Sequence, residues 1–184
     1  DVEQVTGVRP KIIKWQGALQ PAQVYVATLG NSEMSEAIAE EEGIELSSLC
    51  GKRECFLFQV LKNGSLLIAG SDKRGTIYGL FHISELMGVS PFVHFADVVP
   101  APQKEIIFSE KDSMQSKEPS VKYRGFFIND EWPAFGNWTF SHYGGFTAEM
   151  YDLIFETLLR LKGNYLWPAM WTSSFSLDGP GEEN

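Results

Sequence analysis

Ser120-Val121-Lys122-Tyr123-Arg124-Gly125-Phe126-Phe127-Ile128-Asn129-Asp130-Glu131-Trp132-Pro133 reads as an apolar strand that runs out into carboxylates and a tryptophan. After an interval long enough for one helix, Leu161-Lys162-Gly163-Asn164-Tyr165-Leu166-Trp167-Pro168-Ala169-Met170-Trp171 repeats the pattern, now ending in tryptophans. Strand, helix and strand in this order open a β/α barrel, whose active site is assembled from residues just past the carboxyl ends of its strands. The first strand is expected over 121–128, its helix over 146–162 and the second strand over 165–167. On that helix Met150, Leu153, Ile154, Thr157, Leu158 and Leu161 share one face, and Gly163 is expected to cap it. Only the first β-α-β of a (β/α)8 TIM barrel fits in 120–184, which leaves Phe126, Ile128 and Leu166 without most barrel neighbours.

Upstream, the pattern changes. Residues 23–29 alternate like a strand, and 32–42 form a helix with Asn31 or Ser32 as cap and Gly43 at its end. Residues 55–62 and 65–69 flank Asn63-Gly64, a hairpin signal suited to a type I′ turn. A helix over about 72–87 carries Ile77, Leu80, Phe81, Ile83, Leu86 and Met87 as its apolar set, and 92–95 and 105–108 read as short strands. Residues 1–108 therefore form a small α/β domain with a mostly antiparallel sheet. The polar, aperiodic stretch 109–119 reads as a linker, and 120–184 as the start of the barrel. The first residues read as the inside of a helix and the last as a loop whose helix does not follow, so the chain is expected to be part of a longer one.

The 184 residues carry a formal charge of −9, which excludes binding modes that need clustered Lys and Arg: no nucleic acid and no membrane surface is expected as partner. Aromatics make up 13% of the chain, and Trp132, Trp138, Trp167 and Trp171 crowd into its last third. Cys50 and Cys55 fit no zinc or redox signature; they could close a small disulfide loop across a turn, but Cys55 opens an apolar run and is expected as a buried thiol. His82, His94 and His142 are dispersed, so no metal and no cofactor is expected. Gly70-Ser71-Asp72-Lys73-Arg74-Gly75 precedes a helix, where an anion could sit, but it lacks a phosphate-loop pattern; Ser71 or Asp72 as helix cap is the simpler reading.

The residues open to chemistry lie past the two barrel strands. Alternation puts Arg124, Phe126, Ile128 and Asp130 on one face and Tyr123, Gly125, Phe127 and Asn129 on the other. Paired carboxylates suit glycoside hydrolysis, yet neighbouring residues on a strand point apart, so Asp130 and Glu131 cannot be the opposed pair. Asp130 is either a cap for the next segment or a functional group turned into the site. Trp167 is either core or sugar platform, whereas Trp171, in loop territory, suits stacking against the apolar face of a pyranose. His142, in Ser141-His142-Tyr143-Gly144-Gly145, could reach the site.

At these residues the chain resembles glycoside hydrolase family 115, the xylan α-1,2-glucuronidases. The resemblance runs through Ala69-Gly70-Ser71-Asp72-Lys73-Arg74-Gly75-Thr76-Ile77-Tyr78-Gly79, Gly88-Val89-Ser90-Pro91 with Ala96-Asp97-Val98, Arg124 to Glu131, and Leu161 to Trp171. It departs from the family at Phe92-Val93-His94-Phe95, where members tend to have Trp and Tyr. The resemblance implies a hexosaminidase-like N-terminal α/β domain followed by the catalytic barrel. It implies removal of glucuronic acid or its 4-O-methyl ether from glucuronoxylan or its oligosaccharides, with inversion, which takes two carboxyl groups about 6.5–9.5 Å apart. It places Asn129, Asp130, Glu131 and Trp171 at the substrate, to which Trp167 is added as a binding candidate from its own position, with Asp130 as a catalytic candidate and the general acid on a later strand. It implies a secreted or periplasmic protein, and the full-length protein could pair as a homodimer. The alternatives are another hexose- or hexosamine-acting hydrolase of similar layout, and a non-catalytic carbohydrate-binding module.

Overall fold

The computed structural model describes residues 1–177 apart from 32 and 96, and divides into two compact units, Asp1–Ser120 and one that opens at Val121. The first unit begins with helix α1 (Val2–Thr6), which stops where Gly7 turns left-handed at φ 73°. Strand β1 (Val24–Thr28), helix α2 (Glu33–Glu42), strands β2 (Phe56–Val60) and β3 (Leu66–Gly70), helix α3 (Lys73–Leu86) and strand β4 (Met114–Gln115) follow. The sheet order is β1-β3-β2-β4; β1 runs parallel to β3, and β2 is antiparallel to both β3 and β4. On one face Tyr25, Ala27, Leu57, Leu67 and Ala69 meet Met34 and Ile38 of α2 around Leu49 and Cys55. Cys50 and Cys55 are both free thiols, and Cys55 is buried.

The other face meets α3 through small residues. A Cβ at Gly75 would come 2.1 Å from the Cys55 carbonyl oxygen, and one at Gly79 would come 2.5 Å from Ile68 Cγ2. The buried stripe of α3 is thus Gly75, Thr76, Tyr78, Gly79 and Ser84, while Leu80 and Leu86 of the expected apolar set are exposed. Asp72 caps the helix: one carboxylate oxygen accepts from the Gly75 N–H at 2.8 Å, and the other from the Glu54 N–H at 2.8 Å. Ser71 Oγ accepts from the Cys55 N–H. The helix start carries its own anion, which explains this glycine-containing turn without a phosphate.

Several local expectations are corrected. The β2–β3 turn is not type I′: Gly64 has φ 78° but Asn63 does not, and the Gly64 N–H donates to the Leu61 carbonyl. That is a type I turn followed by a left-handed glycine, the usual three-residue hairpin. Residues 92–95 are a turn, because Ser90 accepts from the N–H of Phe92 through its hydroxyl and from that of Val93 through its carbonyl. Residues 105–108 form no strand; their alternation is met by packing, with Ile106 against Val5, Met87 and Val89, and Phe108 edge-on to Phe58.

The stretch 109–119 is not a free linker. It holds a 3-10 turn (Glu110–Asp112) capped reciprocally by Ser109 and Asp112, and then β4, which closes the edge of β2. Ser116 Oγ accepts from the Phe56 N–H at 2.8 Å and Ser113 Oγ from the Val60 N–H at 3.0 Å. Arg53 Nε donates to Glu118 at 3.0 Å, holding that exposed carboxyl below its usual range.

The second unit has strand β5 (Gly125–Phe127), helices α4 (Phe135–Tyr143) and α5 (Ala148–Arg160), and strand β6 (Tyr165–Trp167) parallel to β5. The helix α4 was not expected, and His142 is in its last turn, not in a loop. Helix α5 starts on Thr147, whose hydroxyl accepts from the Met150 N–H, and buries Met150, Tyr151, Ile154, Thr157 and Leu158. Leu161 is 44% exposed. Lys162, not Gly163, takes the left-handed conformation at the helix end, φ 57°. Gly163 is needed for space: a Cβ there would meet Leu158 Cδ1 at 2.6 Å.

Gly75→Ala is expected to destabilise the first unit by about 3 kcal/mol, because a backbone carbonyl cannot move aside as a side chain can. Equilibrium urea denaturation checks it; a loss below about 1 kcal/mol would show that α3 lifts off the sheet at little cost.

Candidate active site

Strands β5 and β6 are short, and polar groups fasten them at both ends. At the amino end the Asn164 side chain accepts from the Arg124 N–H at 2.9 Å and donates to the Lys122 carbonyl at 2.8 Å. Arg124 donates through Nη1 to the Val121 carbonyl at 2.9 Å and through Nη2 to the Lys162 carbonyl at 3.0 Å. In between, Gly125 lies opposite Tyr165, Phe126 opposite Leu166 and Phe127 opposite Trp167. A Cβ at Gly125 would overlap the Tyr165 carbonyl, so that position takes only glycine.

Alternation then sorts the side chains. Phe126, Ile128 and Leu166 are half-buried; Tyr123, Phe127, Tyr165 and Trp167 are exposed. Phe127 and Trp167 meet edge to face with centroids 5.7 Å apart, and Tyr123 lies 6.1 Å from Tyr165. The exposed aromatic face is therefore the one opposite the Phe126–Leu166 pair.

At the carboxyl end the chain places Asp130 where it is 1% exposed. One carboxylate oxygen, Oδ1, accepts from the Trp171 N–H at 3.3 Å. The other, Oδ2, accepts from the Thr172 N–H in a short bond, from the Ser173 N–H at 2.8 Å, and from the Thr172 and Ser173 hydroxyls at 3.0 Å each. Burial by itself raises the carboxyl's pKa. The N–H groups of Thr172 and Ser173, followed by their hydroxyls, favour the anion more strongly and leave it lowered to about 2. The Asp130 carboxylate is turned onto the loop after β6.

The neighbouring candidates divide. Asn129 is half-buried, and its Oδ1 accepts from the Asp130 N–H. Glu131 is exposed, and its carbonyl accepts from the Gly136 N–H at the start of α4. Trp167 is exposed and donates through Nε1 to the Met170 sulfur at 3.3 Å. Trp171 is 71% exposed on the loop that Asp130 holds. His142 stacks on Trp138 at 4.8 Å with Nδ1 against the Trp138 carbonyl, so it belongs to its own helix. Among the described residues no three His, Cys, Asp or Glu side chains gather as metal ligands. Sequence reasoning missed Thr172 and Ser173, and also Trp132, which is exposed and packs on Phe140 at 5.2 Å. The run of hydroxyl residues after Trp171 is the only signal that pointed to the loop.

Because the folded value of about 2 lies below the ordinary 3.8, the Asp130 anion stabilises the fold fully above about pH 4 and ceases to do so as pH falls through about 2. Between about pH 5 and about pH 2.5 this group should cost the protein about 1.5 kcal/mol. Urea denaturation at both values, with Asp130→Asn as the reference that lacks the acid loss, checks it.

Residues 116–184 match the model of glycosyl hydrolase family 115. A solved structure, described as a novel family 115 4-O-methyl-α-glucuronidase with specificity for decorated arabinogalactans, is 40% identical in sequence with a TM-score of 0.69. That likeness covers 80% of this chain and 20% of the other, so the chain spans about a fifth of the length of the enzyme it matches. No curated protein matches. The family model covers the β5–β6 unit with its Asp130 anchor and exposed tryptophans, the likeness to a solved member extends over four-fifths of the chain, and the chain is thus similar to glycosyl hydrolase family 115.

Proposed function

We propose that this chain is part of an inverting α-glucuronidase that removes glucuronic acid or its 4-O-methyl ether from glucuronoxylan or its oligosaccharides. Exposed Trp171, held past the carboxyl end of β6 within the segment the family model covers, carries the reading. In this reading β5, the two helices and β6 are the opening of a (β/α)8 barrel, which the parallel β5–β6 pair supports. The first unit, with its four-stranded sheet, is the hexosaminidase-like domain that precedes it. The longer protein is secreted or periplasmic and could act as a homodimer.

The division of labour follows from the geometry. Trp171 gives the sugar an apolar wall and Trp167 a second aromatic surface, while Asn129 and Glu131 lie at the rim. The acid and base of inversion come from other parts of the longer protein, since a buried carboxylate at about pKa 2 is a poor proton donor and a weak base. A second reading of the polymer is favoured by the solved relative, which is specific for decorated arabinogalactans: the same uronic acid could be taken from a galactan instead.

Release of 4-O-methylglucuronate by the full-length protein, from aldouronic acids on one side and from uronic acid-capped arabinogalactan on the other, tests both readings. Trp171→Ala is expected to raise KM about tenfold with kcat within about twofold, the signature of lost binding that ground state and transition state share. A fall in kcat at unchanged KM would remove Trp171 from the wall.

A further inference from the structure

We propose that Asp130 is a positioning residue: its carboxylate fixes the loop Trp171-Thr172-Ser173 so that the indole of Trp171 stands at the carboxyl end of the sheet, and it exchanges no proton with substrate. The inference rests on the reading of Trp171 as the sugar wall, but the geometry behind it does not. The N–H groups of Trp171, Thr172 and Ser173 all converge on one carboxylate. Successive amides aimed at a single point form an anion-binding concavity, and here the occupant is the protein's own side chain.

The acceptor sites of Oδ2 are used up, and Oδ1 holds the Trp171 N–H. A carboxylate oxygen offers about two lone-pair directions, and Oδ2 already meets the N–H and the hydroxyl of both Thr172 and Ser173. A water poised for attack would find no vacant acceptor on that oxygen, nor access at 1% exposure. The backbone on either side is engaged as well. The Asp130 N–H donates to Asn129 Oδ1, and a Cβ at Gly136 would come 2.8 Å from the Asp130 carbonyl oxygen. Trp171 itself is 71% exposed, so no packing of its ring accounts for the place of the loop. The carboxylate does.

Two measurements on the full-length protein test this, and the first needs no activity. In Asp130→Asn, amide hydrogen exchange at 171–173 is expected to speed up at least about tenfold while α5 amides keep their protection. Unchanged protection at 171–173 overturns the proposal. Should Asp130→Asn also release α5, the double variant Thr172→Val with Ser173→Ala decides, since it leaves the carboxylate in place. A smaller rise confined to 171–173 supports the anchor, and none sinks it. In kinetics, Asp130→Asn should raise KM about as far as Trp171→Ala does and leave both limbs of the kcat pH profile in place. The two changes together should be no worse than Trp171→Ala alone. Loss of a pH limb with kcat down a hundredfold would make Asp130 an acid–base group and overturn the proposal. If the wild-type protein releases no uronic acid, the functional reading fails, and the exchange result still stands or falls by itself.

Discussion

A buried carboxylate survives in a fold only where donors replace the water it has lost, and the second unit is organised around one such replacement. Two parallel strands of three residues each have little ladder to hold them. Arg124 and Asn164 fasten them where they begin, by bonds to carbonyls and an N–H on both sides of the pair. Asp130 does the same where they end, taking the N–H groups of 171–173. Between these clamps the register is fixed, and with it the side chains that are covered and the aromatics that are exposed.

The first unit meets a different constraint. Its sheet is covered on one face by an ordinary apolar helix surface and on the other by a helix whose closest contacts are made at Gly75, Thr76 and Gly79. Thr76 Oγ1 reaches the Ala27 carbonyl at 3.2 Å and Thr28 Oγ1 at 2.7 Å, contacts that are available only at so close an approach. The family resemblance in Ala69 to Gly79 is therefore a packing signature and not a ligand loop. Asp72, like Asp130, is a carboxylate spent on backbone N–H groups that the fold would otherwise leave unmet.

Elements that announce themselves by period or by caps were legible in the sequence: β1, α2, the β2–β3 hairpin, α5 and the aromatic ends of β5 and β6. Helix α4 was not, because Phe135-Gly136-Asn137-Trp138-Thr139-Phe140-Ser141-His142-Tyr143 contains no strong helix former. It is held by rings three and four apart, Phe135 on Trp138 and Trp138 on His142. Strand β4 escaped notice because serine hydroxyls, not apolar alternation, tie it to β2. For α3 the apolar period was real but pointed the wrong way, since glycines set the contact face. Asp130 was legible as a special position, but its partners were not. They are backbone N–H groups 41 to 43 positions along the chain, which nearly every residue type possesses.

That last gap bears on how catalytic carboxylates are read from sequence. A group that moves protons near neutral pH needs a free acceptor site and a pKa near the working pH. A group that holds a loop needs filled acceptor sites, and filling them drives the pKa down. The same hydrogen bonds that fasten Asp130 to the loop move its titration down to about 2, away from the range in which an acid–base group works near neutral pH. An Asp at the end of a parallel strand is therefore a question about the loop opposite it. Here Thr172 and Ser173 answer it with two hydroxyls in addition to their N–H groups, and the indole of Trp171 on the same loop stays exposed.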